Sequence, residues 1–246
     1  MHQRYRTKGI FLTKQDQGEA DQSLTIFTPD YGKLVVFGKA IRKITSKLRS
    51  GADVFYFSEI EFIQAKHHKT LTDALVIDRF ESIRQDPQKL QVAQKIADAL
   101  DFFITKEEKD EKIWQLVFSV FQKLDTQSLN HSITQSLFYY FLWNLLATLG
   151  YSPELHSCPL CEKKLLAETF FFVPQEGGVV CWRCFNSNGL KQGAWFNIQV
   201  DTVKILRVWL KEDWEMAGKL RVGAETWQNL LEISENYCNF LQEKFS

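Results

Sequence analysis

Four cysteines carry the sharpest chemical signal in the chain. They fall as Cys158-Pro-Leu-Cys161 and Cys181-Trp-Arg-Cys184, with 19 residues between the two pairs. Each Cys-x-x-Cys turn offers two thiolates to one ion, and two turns complete a tetrahedral site with Zn–S bonds near ~2.3 Å. Between them, Phe170-Phe-Phe-Val173 and Gly177-Gly178-Val-Val180 suit two strands and a turn, the hairpin of a zinc ribbon. Four thiolates fill the coordination sphere and leave no place for an activated water. A zinc ion bound by Cys158, Cys161, Cys181 and Cys184 would be structural, one per chain, and its binding energy would be folding energy. The alternatives are an iron–sulfur cluster, a redox pair and metal-free thiols. A redox role calls for one exposed low-pKa pair, not two symmetric ones. Deaminase chemistry calls for an H-x-E element upstream of P-C-x-x-C, and no H-x-E occurs. The fifth cysteine, Cys238, reads as a small core or half-buried residue on a helix.

The second chemical signal is charge. Lys39-Ala-Ile-Arg42-Lys43-Ile-Thr-Ser-Lys47-Leu-Arg49 holds five positive charges in eleven positions and no acid. The net charge of the 246 residues is zero, yet residues 1–69 hold 12 Lys/Arg against 7 Asp/Glu and residues 70–246 hold 18 against 23. A basic first module on an acidic remainder fits a polyanion site joined to a protein-facing body. Arg4, Arg6, Lys8, Lys14 and Lys33 could extend the basic face, and Thr45 and Ser46 could bond phosphate. Contacts of this kind are sequence-independent and salt-sensitive. The alternative is a solvated loop whose charges aid solubility. Phe11, Phe27, Phe37, Phe55 and Phe57 could stack bases where exposed, but most are expected in the core. No G-x-x-x-x-G-K-[ST], G-x-G-x-x-G, H-E-x-x-H or G-x-S-x-G occurs, so no enzyme activity is expected. The adjacent His67-His68 suits neither a helical nor a sandwiching metal pair.

The elements that must position these residues follow from periodicity. The composition, 45% hydrophobic and 24% charged, is that of a folded chain and excludes disordered and collagen-like classes. Over the first ~75 residues, apolar stretches at Lys8–Thr13, Leu24–Thr28, Lys33–Gly38 and Val54–Ala65 alternate with turn signals. About five short strands predict a small closed barrel, OB-like or SH3-like. Beyond, the period becomes helical: one stripe runs from Pro87 to Ile104, a second from Ile113 to Leu124. A third helix, Ser132–Leu149, opens on a Ser132-x-x-Gln135 capping box, stops at Gly150 and reads as the central buried helix of a bundle. Two more helices are predicted near Gln199–Lys211 and Ala224–Phe245.

The expected organisation is multidomain α+β: a β-barrel module over residues 1–75, then an α-helical domain over 76–246 with the metal-binding element at about 151–190. The longest apolar run, Leu137–Leu149, is too short and too interrupted for a membrane span, which needs ~20 residues. No apolar segment follows the charges of the first nine residues, so no secretory signal is expected. Paired cysteines in such a chain favour metal over disulfides and place it in a reducing cytoplasm.

Read in order, Gly9-Ile-Phe-Leu12, Gly18-Glu19-x-Asp21, Leu24-Thr-Ile-Phe-Thr28, Tyr31-Gly32-Lys33 and Arg42-Lys43-x-x-Ser46-x-Leu48 form a pattern. It continues through Leu149-Gly150-Tyr151 into both Cys-x-x-Cys pairs. The pattern resembles the RecO family of bacterial recombination mediators across nearly the whole chain, thinning after about residue 190. The resemblance implies an N-terminal OB fold and a helical domain with a zinc-binding element. It implies binding of single- and double-stranded DNA and annealing of strands without ATP. It also implies action with RecR on strands coated by single-stranded-DNA-binding protein (SSB), so that the recombinase loads during DNA repair on the bacterial nucleoid. Carried residue by residue, it makes Lys33, Lys39, Arg42, Lys43 and Lys47 DNA-contact candidates, with Arg49 beside them in the same segment. The family often has glycine two residues before the Arg-Lys step. This chain has Ala40, which a positive φ would strain. The contrasting expectation is a zinc-ribbon adaptor acting mainly through protein–protein contacts.

Overall fold

The computed structural model describes residues 3–66, 68–126, 131–166, 169–188 and 195–245. The chain divides into two units, residues 1–141 and 142–246. His67 and the Ser132 side chain of the expected capping box lie outside the described residues.

In the first unit, strands β1 (Arg4–Gln17), β2 (Asp21–Thr28), β3 (Gly32–Gly38), β4 (Phe57–Gln64) and β5 (Lys69–Asp78) close into a barrel in the order β1-β2-β3-β5-β4. This is an OB-like closure, which leaves no long open edge. The 14-residue β1 makes it possible. Its first half pairs with β4 (Arg4↔Ile63 to Ile10↔Phe57) and its second with β2 (Ile10↔Phe27 to Gln17↔Asp21). The barrel interior is filled by Phe11, Leu24, Ile26, Leu34, Val36, Ile60, Phe62, Leu71 and Ala74, all nearly inaccessible.

Two helices close the outside of the barrel. After the short α1 (Glu81–Gln85) come α2 (Pro87–Phe103) and α3 (Glu111–Leu124). Each begins at an aspartate whose carboxylate accepts two backbone N–H groups. Asp86 accepts from Gln88 and Lys89, and Asp110 accepts from Lys112 and Ile113. Helix α3 lays Trp114, Phe118 and Phe121 against the barrel aromatics. Phe57 lies 4.9 Å from Phe118 and 6.1 Å from Trp114, Phe27 lies 6.3 Å from Trp114, and Phe55 lies 5.8 Å from Phe121. The barrel therefore has two cores, one inside and one beneath α3.

Helix α4 (His131–Thr148) is buried on all sides over its second half, where Leu137 and every residue from Tyr139 to Leu146 is inaccessible. This is the all-round apolar pattern of a core helix. The second unit then builds a three-stranded antiparallel sheet in the order β7-β6-β8 from β6 (Phe170–Val173), β7 (Gly178–Cys181) and β8 (Phe196–Ile198). Helix α5 (Trp182–Asn188) leaves β7 directly, and α6 (Val200–Trp209), α7 (Trp214–Ala217) and α8 (Ala224–Phe245) complete the unit. All four β6 residues are buried. On one side Trp143 and Tyr237 pack edge-on to Phe172; on the other Phe185 and Trp195 pack on Phe171. Among the described residues no helix is long and apolar enough to cross a membrane.

Gly51 is the tightest point of the barrel. A Cβ there would lie 1.9 Å from the carbonyl oxygen of Ala74 on β5, and the Gly51 carbonyl itself accepts a 2.7 Å bond from the buried Ser58 hydroxyl. The obstacle is backbone, so β5 would have to shift. Gly51→Ala is expected to lower stability by about 2 kcal/mol, read as a drop in urea midpoint at unchanged m-value. An unchanged midpoint would mean that β5 is not held against this loop.

Candidate nucleic-acid interface and metal centre

The basic segment joins β3 to β4, and apolar anchors hold it down. Ile41 is 2% exposed in the barrel core, Leu48 packs against the same cluster, and Ala52 closes the loop. Between the anchors two successive turns form, Lys43 N–H to the Ala40 carbonyl and Ser46 N–H to the Lys43 carbonyl, followed by a 3-10 turn over Lys47–Ser50. The cations between anchors therefore point to solvent: Lys39, Arg42, Lys43, Lys47 and Arg49 are all exposed.

Elsewhere in the module five of the seven cations are paired, and Lys8 and Lys66 are exposed without an ion pair among the described residues. Arg4 and Arg6 on β1 face Glu59 and Glu61 on β4 at 3.4–3.7 Å. Lys14 and Arg84 share Asp53, and Lys69 pairs with Glu107. Lys33 turns away from the loop: its ammonium donates to the carbonyl of Asp101 at 2.7 Å and pairs with the Asp101 carboxylate at 3.0 Å, leaving its side chain 13% exposed. Of the six expected DNA-contact residues, the structure thus brings together five and sends Lys33 to the end of α2. Outside residues 39–49, the other 7 Lys/Arg of residues 1–69 are matched by 7 Asp/Glu. The whole positive excess of the module resides in one loop.

Within the loop only Arg42 is tethered, to the Gly18 carbonyl at 3.2 Å and the Asp16 carboxylate at 3.3 Å. An exposed pair of this kind contributes ~0–1 kcal/mol, so a phosphate can take the carboxylate's place. Among the described residues Lys39, Lys43, Lys47 and Arg49 make no ion pair. Arg42 and Arg49, with Lys14 and Asp53, line a cleft of about 300 Å³. Asp53 is drawn below its ordinary range. Burial opposes this, but the hydrogen bond from Lys14 and the charges of Lys14 and Arg84 prevail. It therefore stays ionised and keeps those two cations engaged.

The loop starts in a left-handed residue. Ala40 has φ 51, and its N–H donates to the Asp21 carboxylate at 2.7 Å while the Arg42 N–H donates to the Ala20 carbonyl at 3.0 Å. Alanine keeps the turn that glycine would make without strain. Asp21, part of the Gly18-Glu19-x-Asp21 string but given no role by the sequence alone, proves to be the residue that holds the turn in place.

The four paired cysteines gather at the end of the β6–β7 hairpin. Cys158 and Cys161 lie on a loop closed by Cys158 N–H to the Lys163 carbonyl and Glu162 N–H to the Cys158 carbonyl. Cys181 ends β7 and Cys184 lies in the first turn of α5. The loop is stapled to the hairpin by the backbone of Glu154, which donates to Gly177 and accepts from Val179. The contact requires glycine at 178, where a Cβ would stand 2.3 Å from the Glu154 carbonyl oxygen. The Glu154 carboxylate accepts from the N–H groups of His156 and Ser157, which lower its pKa. Arg207 of α6 donates to the Leu155 carbonyl from behind.

The four sulfurs all lie within 4.8 Å of one another, none is in a disulfide, and Cys161 and Cys181 are 3.9 Å apart. Metal–sulfur bonds of about 2.3 Å in a tetrahedron place sulfurs about 3.8 Å apart, so the donor set fits a single thiophilic ion. Without a cation the thiols cannot ionise together. Burial opposes thiolate formation at Cys158, yet N–H groups of Cys181, Leu160 and Cys161 bring it down to about 7. At Cys184, burial and the surrounding thiols push it up to about 12. The four cysteines could hold a metal ion, and the remaining thiol, Cys238, is half-buried and pushed up to about 12, first by burial and then by Glu235.

A closed OB-like barrel with one largely unpaired cationic loop, followed by a helical unit bearing a four-cysteine cluster, defines the class. Family models described as "Recombination protein O N terminal" and "Recombination protein O C terminal" match residues 1–80 and 84–244. A protein of Dehalococcoides mccartyi named "DNA repair protein RecO" is 33% identical over 241 residues, covering 98% of this chain and 91% of that protein. Proteins of the same name from Roseiflexus sp. and Desulfitobacterium hafniense are 27% and 26% identical, with 98% of this chain covered and 82% and 86% of theirs. The chain belongs to the RecO family of DNA repair proteins.

The strain at Ala40 yields a direct test. A left-handed non-glycine residue costs ~1–2 kcal/mol, partly offset by the entropy glycine adds to the unfolded chain. Ala40→Gly is therefore expected to raise stability by about 0.5–1 kcal/mol in thermal or urea unfolding. Destabilisation instead would show that Ala40 does not adopt this conformation.

Proposed function

We propose that this protein is a non-enzymatic recombination mediator that binds single- and double-stranded DNA through the 39–49 loop and anneals complementary strands. With RecR, it would help load the recombinase onto SSB-coated strands in the bacterial cytoplasm. The observation that carries this reading is the confinement of the module's positive excess to one exposed loop on an OB-like barrel. Sugar–phosphate chains are recognised by cations that any sequence satisfies, with binding driven by counterion release. Annealing requires that the mutual repulsion of two phosphate backbones be reduced. A loop carrying five cations and no acid does this without bond chemistry.

The proposed role of the four cysteines is to hold one zinc ion. Zinc supplies a rigid tetrahedral crosslink and no catalytic position when all four ligands are thiolates. Cys158 and Cys161 would be tied to Cys181 and Cys184, fixing the 154–165 loop against the hairpin and the start of α5. A second reading, a zinc-ribbon adaptor working through protein contacts, is favoured by two exposed apolar side chains beside the cluster, Leu166 (66%) and Trp182 (47%).

Two measurements test these readings. Replacing Lys39, Arg42 and Lys43 together with alanine should weaken binding to single strands of any sequence and flatten the log K against log salt slope by about 0.7 for each lost phosphate contact. The folded state should be unaffected, since all three are exposed. Undiminished affinity in the triple variant would remove the loop from the mechanism and leave the adaptor reading. For the metal, one zinc per chain with four sulfur ligands is expected by elemental analysis and X-ray absorption. Cys158→Ser should lose it along with about 3 kcal/mol or more of stability. Full stability with no bound metal would overturn the structural role.

A further inference from the structure

We propose that Phe37, with His68 and Lys39, forms a nucleobase-binding pocket beside the cationic loop, so that the barrel grips unpaired bases as well as phosphates. The inference rests on the DNA-binding reading above and deepens it. Of the five barrel-module phenylalanines that could stack bases, Phe11, Phe27, Phe55 and Phe57 are buried, in the barrel or under α3. Phe37 alone of the five remains partly exposed, at the end of β3 where the cationic loop begins. Its ring meets the His68 ring at 5.5 Å and 76°, an edge-to-face pair. The two rings, Lys39 and Asp21 line a cavity of about 330 Å³.

The strand register sets what a base would meet there. Ser23 on β2 and Thr70 on β5 are both paired with Phe37, so all three side chains share one face of the sheet. Both hydroxyl residues are half-buried and stand at the register positions next to Phe37. A partly exposed aromatic ring on the same sheet face as two hydroxyl residues suits a base, which offers a π-face for stacking and hydrogen-bonding groups at its edge. Lys39, two residues along the chain, is exposed and without an ion pair among the described residues, in place for the attached phosphate. Asp21 is occupied by the Ala40 N–H, which fixes the pocket wall to the loop. A base in a duplex has its faces covered by its neighbours, so such a pocket selects for unstacked single strands.

The test separates charge from base. Binding of the full chain to an oligothymidylate is compared with binding to an abasic strand of equal length and charge. The native protein should prefer the thymidylate on the order of tenfold, the scale of one stacked base. Phe37→Ala should erase that preference while keeping the salt slope, and Phe37→Trp should restore it with quenching of the new indole by the bound strand. Equal binding of both strands by the native protein would overturn the base pocket. The salt slope lost in the Lys39, Arg42 and Lys43 triple variant would still stand for the loop. Absence of binding to either strand would overturn both.

Discussion

Five like charges in eleven residues repel one another, and the fold must hold them together with no carboxylate of their own. The repulsion is modest where the charges are exposed: ~1 kcal/mol or less per pair in water, and screened beyond ~8–10 Å. Burying Ile41 contributes about 1.5–3 kcal/mol, and Leu48 adds a second apolar anchor. The carboxylate of Asp21 fixes the entry of the loop by accepting the N–H of Ala40. The anchors outweigh the repulsion, so the charges stay gathered before any ligand arrives. In the proposed function, that pre-assembly is what would give the loop an advantage over scattered lysines in holding a polyanion.

The same economy governs the aromatic residues. A five-stranded barrel has room inside for few large side chains, and Phe11 and Phe62 take much of it. The aromatics facing out, Phe27, Phe55 and Phe57, would be an exposed apolar patch without α3, which covers them with Trp114, Phe118 and Phe121. Helix α3 thus belongs energetically to the barrel, and the first unit runs on to Phe141 instead of ending with β5. Covering one side of the barrel also leaves the Phe37 end of β3 to solvent, next to the loop.

What could be read from the sequence was whatever a local period or spacing encodes. The strand-forming stretch Val54–Ala65, which holds β4, the helical stripes of α2 and α3 and the two Cys-x-x-Cys turns are of this kind, and each lies where it was expected. Strand β5 was not among the four apolar stretches because its buried residues, Leu71 and Ala74, stand three apart. The register with β4 shifts between Glu61 and Phe62, and Leu75 and Ile77 face outward. A bulge of this kind breaks the period of two that marks a strand. Helix α5 was hidden because it starts inside the second cysteine pair, and β8 has only three residues. The destination of Lys33 depends on Asp101, 68 positions away. No local pattern announces such a partner, so five of the six candidate cations are found on the loop, while the sixth, on β3, is drawn to Asp101 of α2.

The two sites also differ in sign, which bears on which of them can hold a polyanion. Four thiolates around one divalent ion would leave a net charge of about −2. The exposed Lys163, Lys164 and Arg183 next to the cysteines would offset that charge and would then not be an unmatched excess. The 39–49 loop has no such internal counter-charge beyond the tether from Arg42 to Asp16. A phosphate approaching a metal-filled cluster would meet cations already balanced by sulfur, whereas one approaching the loop would meet cations balanced mainly by mobile ions. Release of those ions drives association. In the proposed reading, the electrostatics therefore favour the barrel loop for the backbone contact and leave the cysteine element to fix local structure.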